Sequence, residues 1–221
     1  MKNIMSINSV IFDLDNTLYD ESIYFKYVIE CFCSKIKKID KIGVMHRAYF
    51  KYRNSSKDIF NDLLVPANLP YDNINKDLLF EIYCTINAPI SLYDDALMIL
   101  EYLKLRKMNV FILTNGLINA QKNKAKLLCL HSYCNEIIYA RIYGKKYEKP
   151  HSRSFVNLLK DKKILACNLL AVGDNLSTDF RAPKKLGIKT VRLLRGLNKD
   201  KMSNKYVDFE INNLLEIKKN L

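Results

Sequence analysis

Two aspartates stand one residue apart after a short apolar run, in the stretch VIFDLDNTLYD at residues 10–20. Alternate side chains of an extended segment point to the same side, so Asp13 and Asp15 are predicted to face one way. Two carboxylates held together repel each other unless a cation lies between them, and a hard divalent ion is the usual answer. The spacing therefore indicates a divalent-metal site at the end of this run.

Three later segments carry further reactive residue types. LTNG places Thr114 and Asn115 at the end of a predicted strand, EKP places Lys149 before a predicted helix, and VGDNLSTDF places Asp174 and Asp179 at another strand end. A nucleophilic aspartate, a second carboxylate, a hydroxyl, a lysine and an acidic metal cluster are what phosphoryl transfer requires. Together these segments predict phosphoryl-transfer chemistry.

Alternating strands and helices would bring these segments together. Apolar runs predict strands at residues 7–13, 109–115, 136–140, 168–174 and 188–194, and the tail predicts a sixth short strand and a last helix. With helices between the strands, the pattern favours an α/β fold, a Rossmann-like parallel sheet covered by helices on both faces. Ligands of such sheets bind beyond the carboxyl ends of the strands, which is where the reactive residues stand.

Residues 20–88 break this alternation. No buried strand is predicted there, and apolar residues such as Tyr24, Val28 and Phe32 recur at helical spacing. The chain is therefore predicted to comprise a core of residues 1–19 and 89–221 and an inserted all-helical cap of residues 20–88.

Four motifs in this order resemble those of the haloacid dehalogenase-like (HAD) hydrolase superfamily, in its subfamily with a helical cap. The motifs are DxDxT from Asp13 to Thr17, the threonine at Thr114, the lysine at Lys149, and GDxxxxD from Gly173 to Asp179. The tail is also similar to the family's DYVIxSLxEL. The resemblance covers essentially the whole chain and implies the same core and cap. The lysine motif departs from the family's GxxKPxP, because Gly144 precedes Lys149 by five residues and Ser152 replaces the second proline.

The resemblance implies a catalytic role for each reactive residue. Asp13 would attack phosphorus and form an aspartyl-phosphate. Asp15 would protonate the leaving oxygen and later deprotonate the hydrolytic water. Thr114, Asn115 and Lys149 would bind the substrate's phosphoryl oxygens and offset the charge that develops in the transition state.

The resemblance also implies Mg²⁺ as the cofactor. Its ligands would be Asp13, Asp15 through its backbone carbonyl, and Asp174, with Asp179 nearby or acting through water. An alternative for Asp179 is an acid at a helix N-terminus, and an alternative for Thr17 is a local turn residue.

Asp15 distinguishes among the reactions of the superfamily. Halide leaves without a proton, and the superfamily's dehalogenases lack this second aspartate, whereas the alkoxide of a phosphate ester needs protonation. The sequence therefore predicts a phosphomonoester hydrolase. A phosphomutase, a nucleic-acid end phosphatase and a non-catalytic binding protein of the same fold stay as alternatives.

The first two motifs most resemble one phosphatase branch, that of nucleoside 5′-monophosphatases and N-acylneuraminate-9-phosphate phosphatases. The resemblance rests on FDLDNTLYD and on TNG....Q.NK...L, which comprises Asn115, Gly116, Gln121, Lys124 and Leu127. The predicted substrate is a small phosphorylated metabolite, either a nucleoside monophosphate or a sugar phosphate.

The composition limits the kinds of partner that we expect the protein to bind. The net charge of +13 would suit an anionic partner, but the basic residues are mostly scattered lysines, so we do not expect nucleic acid. We expect no membrane partner, because no run of residues is long and apolar enough to span a bilayer. The six cysteines form no CxxC pair, which favours reduced core residues. The stretch MKNIMSINSV lacks the apolar core of a signal peptide, so we expect a cytoplasmic location.

Overall fold

A computed structural model describes residues 7–53, 55–196 and 199–221. The chain forms two compact units. The helical unit is Glu21–Ile90, and the other unit comprises the chain on either side of it, up to Asp20 and from Ser91.

A six-stranded parallel sheet with the strand order β3-β2-β1-β4-β5-β6 forms the centre of the second unit. Its strands are β1 Ser9–Phe12, β2 Asn109–Thr114, β3 Glu136–Tyr139, β4 Leu169–Gly173, β5 Lys189–Leu193 and β6 Phe209–Ile211. This confirms the predicted α/β, Rossmann-like fold. The strand order reverses beside β1, between β1 and β4, and such a reversal opens a ligand-binding crevice at the strands' carboxyl ends.

Eight α-helices lie in the described chain. The helices of the helical unit are α1 Glu21–Lys35, α2 Ile42–Tyr52, α3 Ile59–Leu64 and α4 Asn73–Thr85, and those of the sheet unit are α5 Asp94–Leu105, α6 Ile118–Leu127, α7 Arg153–Asp161 and α8 Arg181–Lys185. None of the helices in the described residues has both the length and the apolar character required to cross a bilayer.

The strands are buried because helices cover the sheet. All four residues of β1 and all five of β4 are buried, as expected for parallel strands covered on both faces. Ile11 and Phe111 pack in one cluster with Phe155 and Leu158 of α7 and Ala182 of α8. This packing holds the strand ends in fixed positions relative to one another.

The C-terminal tail ends in a 3₁₀-helix, Leu214–Asn220, where a last helix was predicted. A capping box begins it: the side chain of Asn213 accepts from the backbone of Leu215, and that of Glu216 accepts from the backbone N–H of Asn213. The predicted sixth strand is β6.

The helical unit has its own aromatic core. The ring of Phe25 stacks on Tyr49 with centroids 4.5 Å apart and lies 5.2 Å from the ring of Tyr83. The hydroxyl of Tyr24 donates to the carbonyl of Tyr83 at 2.6 Å, which joins α1 to α4. Burial of these rings gives the inserted helices a core of their own.

Candidate active site

The register of the sheet aligns the ends of three strands. Phe12, the last residue of β1, pairs with Ile112 of β2 and Val172 of β4. The backbone N–H of Asp13 then donates to the carbonyl of Val172 at 2.9 Å, so Asp13 begins where the ladder ends. The residues after β1, β2 and β4 therefore emerge at one edge of the sheet.

Lys149 joins two carboxylates at this edge. Its Nζ donates to Asp13 Oδ1 and, at 2.9 Å, to Asp179 Oδ1. The side chains of Lys149 and Asp179 are only 4% and 5% exposed, and that of Asp13 is 12% exposed. A buried ammonium needs such partners because burial without them is strongly unfavourable.

Asp13, Asp174 and Asp179 form a candidate metal centre. One carboxylate oxygen from each lies within 4.8 Å of the other two. Carboxylate oxygens are the ligands that Mg²⁺ takes from proteins. The donor set therefore fits a hard divalent cation.

The charged groups at this edge change the pKa values of Asp13 and Lys149. Burial raises the pKa of Asp13 to about 7, with Lys149 opposing the rise and Asp179 adding to it. Burial disfavours the charged form of Lys149, but the carboxylates of Asp13 and Asp179 raise the pKa of its ammonium above the usual value. Asp13 and Asp179 thus share the ammonium of Lys149 beside Asp174, and a divalent ion would offset the negative charge of these carboxylates.

Thr17 belongs to this cluster. Its side chain is completely buried, and its hydroxyl lies 3.3 Å from Asp13 Oδ2 and 3.4 Å from Asp174 Oδ1. A residue that could have been a local turn residue thus links two of the candidate metal ligands.

Gly173 makes room for Asp179. A Cβ atom at position 173 would overlap the Asp179 carboxyl group, so only glycine fits there. Asp179 also accepts from the backbone of Asn175 at 2.9 Å and from the hydroxyl of Thr178 at 2.8 Å. The carboxylate thus fixes the loop after β4 and meets Lys149, which goes beyond the role of an acid at a helix N-terminus.

The side chain of Asp15 has different partners. Lys124 Nζ lies 2.7 Å from Asp15 Oδ1, the hydroxyl of Tyr19 lies 2.5 Å from the same oxygen, and Gln121 Nε2 lies 3.1 Å from Oδ2. Among the described residues, the group of carboxylates that could share a metal does not include Asp15. The predicted pairing of the Asp13 and Asp15 side chains around one cation is therefore not seen in this group, and the Asp15 carboxylate contacts the ammonium of Lys124 instead.

The loops that carry Thr114 and Lys149 are joined through side chains. Thr114 is 1% exposed, and its hydroxyl donates to the carbonyl of Asn115 at 3.2 Å. The amide of Asn115 accepts from the backbone N–H of Lys149 at 2.9 Å and donates to its carbonyl at 3.0 Å. Asn115, predicted to bind substrate, therefore also fixes the backbone of the lysine.

Glu148 adds a second connection between these loops. Its Oε1 accepts from the backbone N–H of Gly116 at 2.6 Å, and Arg141 holds the carboxylate through two bonds of 2.8 and 3.2 Å. This contact lies where the lysine segment departs from the family's spacing.

The sequence did not assign roles to Tyr19, Gln121, Lys124, Glu148 or Arg141. Gln121 and Lys124 carried a usable signal, since residues three apart on a helix share a face. Helix α6 begins just after the turn that follows β2, so that face lies near the strand ends.

Comparisons of the sequence with known proteins identify a family and two relatives. Residues 10–193 match the model of the haloacid dehalogenase-like hydrolase family. The chain is 28% identical to a glyceraldehyde 3-phosphate phosphatase of Methanocaldococcus jannaschii and 25% identical to one of Methanopyrus kandleri, each alignment covering 96% of this chain and 95% of the relative.

The fold has a close counterpart in a Bacillus subtilis protein, described as a HAD-hydrolase, whose crystal structure was determined bound to magnesium. The TM-score is 0.73 at 16% identity, covering 96% of this chain and 97% of the other. The match to the family model confirms the predicted membership and hydrolase class: the chain belongs to the haloacid dehalogenase-like hydrolase family.

Proposed function

We propose that this protein is a Mg²⁺-dependent phosphomonoester hydrolase that acts on a small sugar phosphate through a phosphorylated Asp13. The observation that carries the proposal is the cluster in which the Lys149 ammonium lies between Asp13 and Asp179, beside Asp174. The cluster combines the proposed nucleophile Asp13 with the positive charge of Lys149 and with carboxylates that could hold a cation. Phosphoryl transfer depends mainly on such positioning and electrostatic stabilisation.

Asp13 is the proposed nucleophile because it stands at the strand-end edge with one carboxylate oxygen held by Lys149. The hydrogen bond restrains the carboxylate and favours its charged form, which is the form that attacks phosphorus. Attack forms a bond from an Asp13 oxygen to phosphorus and breaks the bond from phosphorus to the leaving oxygen. Thr114 and Lys149 are proposed to bind the phosphoryl oxygens.

Asp13, Asp174 and Asp179 are the side chains that would hold Mg²⁺, with the backbone carbonyl of Asp15 as a further ligand. The bound ion would neutralise charge on the phosphoryl group. The three carboxylates could then all stay ionised beside a dianionic substrate.

Asp15 is the proposed acid and base. It would give a proton to the leaving oxygen, and in the second step it would take a proton from the water that hydrolyses the aspartyl-phosphate. Its contacts with Lys124, Gln121 and Tyr19 separate its environment from that of Asp13, as two carboxylates with two roles require.

The sugar-phosphate class is supported by the two archaeal relatives, which are glyceraldehyde 3-phosphate phosphatases aligned over nearly their full length. We therefore propose that the substrate is a triose phosphate and not a nucleoside monophosphate. The unit Glu21–Ile90 is the proposed cap, which would exclude water during the reaction and select the group attached to phosphate. No disulfide bond lies in the described residues, which suits the proposed cytoplasmic location.

Phosphate release from a panel of sugar phosphates and nucleoside monophosphates, with Mg²⁺ present, tests the proposal. We expect turnover of D-glyceraldehyde 3-phosphate with a kcat/KM above that of any nucleotide, and none by Asp13→Asn. A preference for nucleotides would overturn the substrate class. Transfer of phosphate within a sugar, without release, would indicate a phosphomutase, and no turnover of any compound would overturn the proposed activity.

A further inference from the structure

Helix α6 carries a buried lysine and a buried glutamine that contact Asp15. Lys124 has no exposed side-chain surface and Gln121 is 2% exposed. The two residues are three apart, so they share one helical face, and both reach a carboxylate more than a hundred residues earlier in the chain. The neighbouring lysines of the same helix, Lys122 and Lys126, are exposed.

The contacts involve both oxygens of Asp15. Lys124 Nζ and the hydroxyl of Tyr19 bond to Oδ1 at 2.7 and 2.5 Å, and Gln121 Nε2 bonds to Oδ2 at 3.1 Å. A carboxylate held at one oxygen can turn about its Cβ–Cγ bond. Donors on both oxygens fix the plane of the carboxylate and the direction of its free lone pairs.

Gln121 directs its amide nitrogen, and not its oxygen, toward Asp15. Its Oε1 is buried and has no hydrogen-bond partner among the described residues. Such an unsatisfied acceptor is costly and rare in folded proteins. The amide cannot simply be reversed, because an oxygen in place of Nε2 would face the Asp15 carboxylate, and both would be acceptors.

Gly116 leaves space for this glutamine. A Cβ atom at position 116 would lie 2.9 Å from Gln121 Nε2, closer than side chains tolerate, and the backbone there has φ +105°. The turn after β2 is thus shaped so that Gln121 can reach Asp15.

We propose that Lys124 and Gln121, together with Tyr19, are positioning residues that orient the Asp15 carboxylate for proton transfer. The inference rests on the proposed function, because it assigns these residues to the acid and base of that reaction. The contacts described above are with Asp15, which is not the nucleophile of the proposed reaction. Their loss should therefore slow the steps that need Asp15 and leave attack by Asp13 intact.

The test uses p-nitrophenyl phosphate in rapid-mixing kinetics of the full chain. Nitrophenolate leaves without a proton, so the first burst reports phosphorylation of Asp13, whereas steady turnover also requires Asp15 to activate water. Lys124→Met should keep the burst rate within a few fold and lower steady turnover roughly 10- to 100-fold, the cost of a misplaced catalytic group. KM should fall together with kcat and leave kcat/KM nearly unchanged, because slower hydrolysis lets the phosphorylated form accumulate. Lys124→Arg should recover part of the loss in turnover because it keeps a charged donor.

Lys126→Met is the matched control, since Lys126 is an exposed lysine on the same helix. It should behave as the unchanged protein does. If Lys124→Met does not fold, Gln121→Leu is measured instead, and it should show the same separation of burst from steady turnover.

Steady turnover within twofold of the unchanged protein would overturn the inference. So would a parallel loss of burst and steady turnover together with a lower melting temperature, which indicates a structural role alone. If Asp15→Asn separates the two phases and the Lys124 and Gln121 variants do not, the inference fails and the proposed function stands. If the unchanged protein releases no nitrophenolate, the proposed function itself has failed.

Discussion

Asp13 and Asp15 lie two residues apart, yet their surroundings differ completely. Asp13 shares its cation, Lys149, with Asp179 and lies beside Asp174, so negative charge exceeds positive charge there. Asp15 contacts Lys124, whose side chain is fully buried, and two uncharged donors. The surroundings of Asp13 therefore suit a further cation and an electrophile, whereas Asp15 lies beside the buried ammonium of Lys124.

The largest effect should come from the nucleophile. Asp13→Asn keeps the size of the side chain and removes its charge, so the fold should persist and phosphatase activity should fall on the order of 10⁴-fold or more. Steady-state kinetics with p-nitrophenyl phosphate measures the loss, and circular dichroism checks the fold. Turnover near that of the unchanged protein would exclude Asp13.

Metal removal should affect the site that contains Asp13. EDTA should reduce activity to background, and added Mg²⁺ should restore it. Three carboxylates and a phosphate dianion repel one another strongly unless a cation lies among them. The measurement is phosphate release before and after chelation and after Mg²⁺ is added back. Full activity in a rigorously metal-free preparation would contradict the assignment of Asp13, Asp174 and Asp179.

Asp15→Asn should give a smaller and more selective loss. General acid–base catalysis contributes about 10²–10⁴-fold, so turnover of an alkyl phosphate such as a sugar phosphate should fall by that order. The burst of nitrophenolate from p-nitrophenyl phosphate should be far less affected, because that group needs no proton. Equal losses in the burst and with the alkyl phosphate would show that the two aspartates do not have separate roles.

Gly173→Ala should give the smallest effect of the four. The added Cβ would displace the Asp179 carboxylate from Lys149 and the metal-binding group, so we expect a loss of roughly 10- to 100-fold in kcat/KM and a higher Mg²⁺ requirement. Activity measured across a Mg²⁺ titration tests both expectations.

Gly43→Ala in α2 is the matched control for that variant. The nearest atom to its added Cβ would be Arg47 Nη1 at 3.5 Å, an ordinary contact. It should leave kinetics unchanged and stabilise the helix by about 0.5–1 kcal/mol, because alanine favours helix over glycine. If the two variants behave alike, Asp179 does not depend on the space at Gly173.

The Asp13 side of this comparison was predictable from the sequence. Parallel strands carry the residues that follow them to one edge of the sheet, so Asp13, Lys149, Asp174 and Asp179 could be expected to meet. The predicted strands and their order along the chain were enough for that. The structure adds the ammonium between Asp13 and Asp179 and the buried hydroxyl of Thr17.

On the Asp15 side, the sequence shows that Gln121 and Lys124 share a helix face, but it does not show that this face contacts Asp15. Its contact with Lys124 spans 109 residues of sequence and depends on how α6 turns as it leaves β2, which periodicity does not specify. The same holds for Asn115 and Glu148, whose side chains bond backbone groups of a neighbouring loop. Polar side chains at strand ends can meet either substrate or backbone, and only the packed structure distinguishes the two.

The most direct test of the account is to locate the covalent phosphate. The protein is mixed with Mg²⁺ and p-nitrophenyl phosphate, quenched in acid during the first turnover, digested and mapped by mass spectrometry, with Asp15→Asn included because slow hydrolysis should let the intermediate accumulate. We expect phosphate on Asp13 in the unchanged protein, more phosphate on Asp13 in the Asp15→Asn variant, and none in the Asp13→Asn variant. Phosphate on another residue, or turnover with no covalent phosphate in either active form, would contradict it.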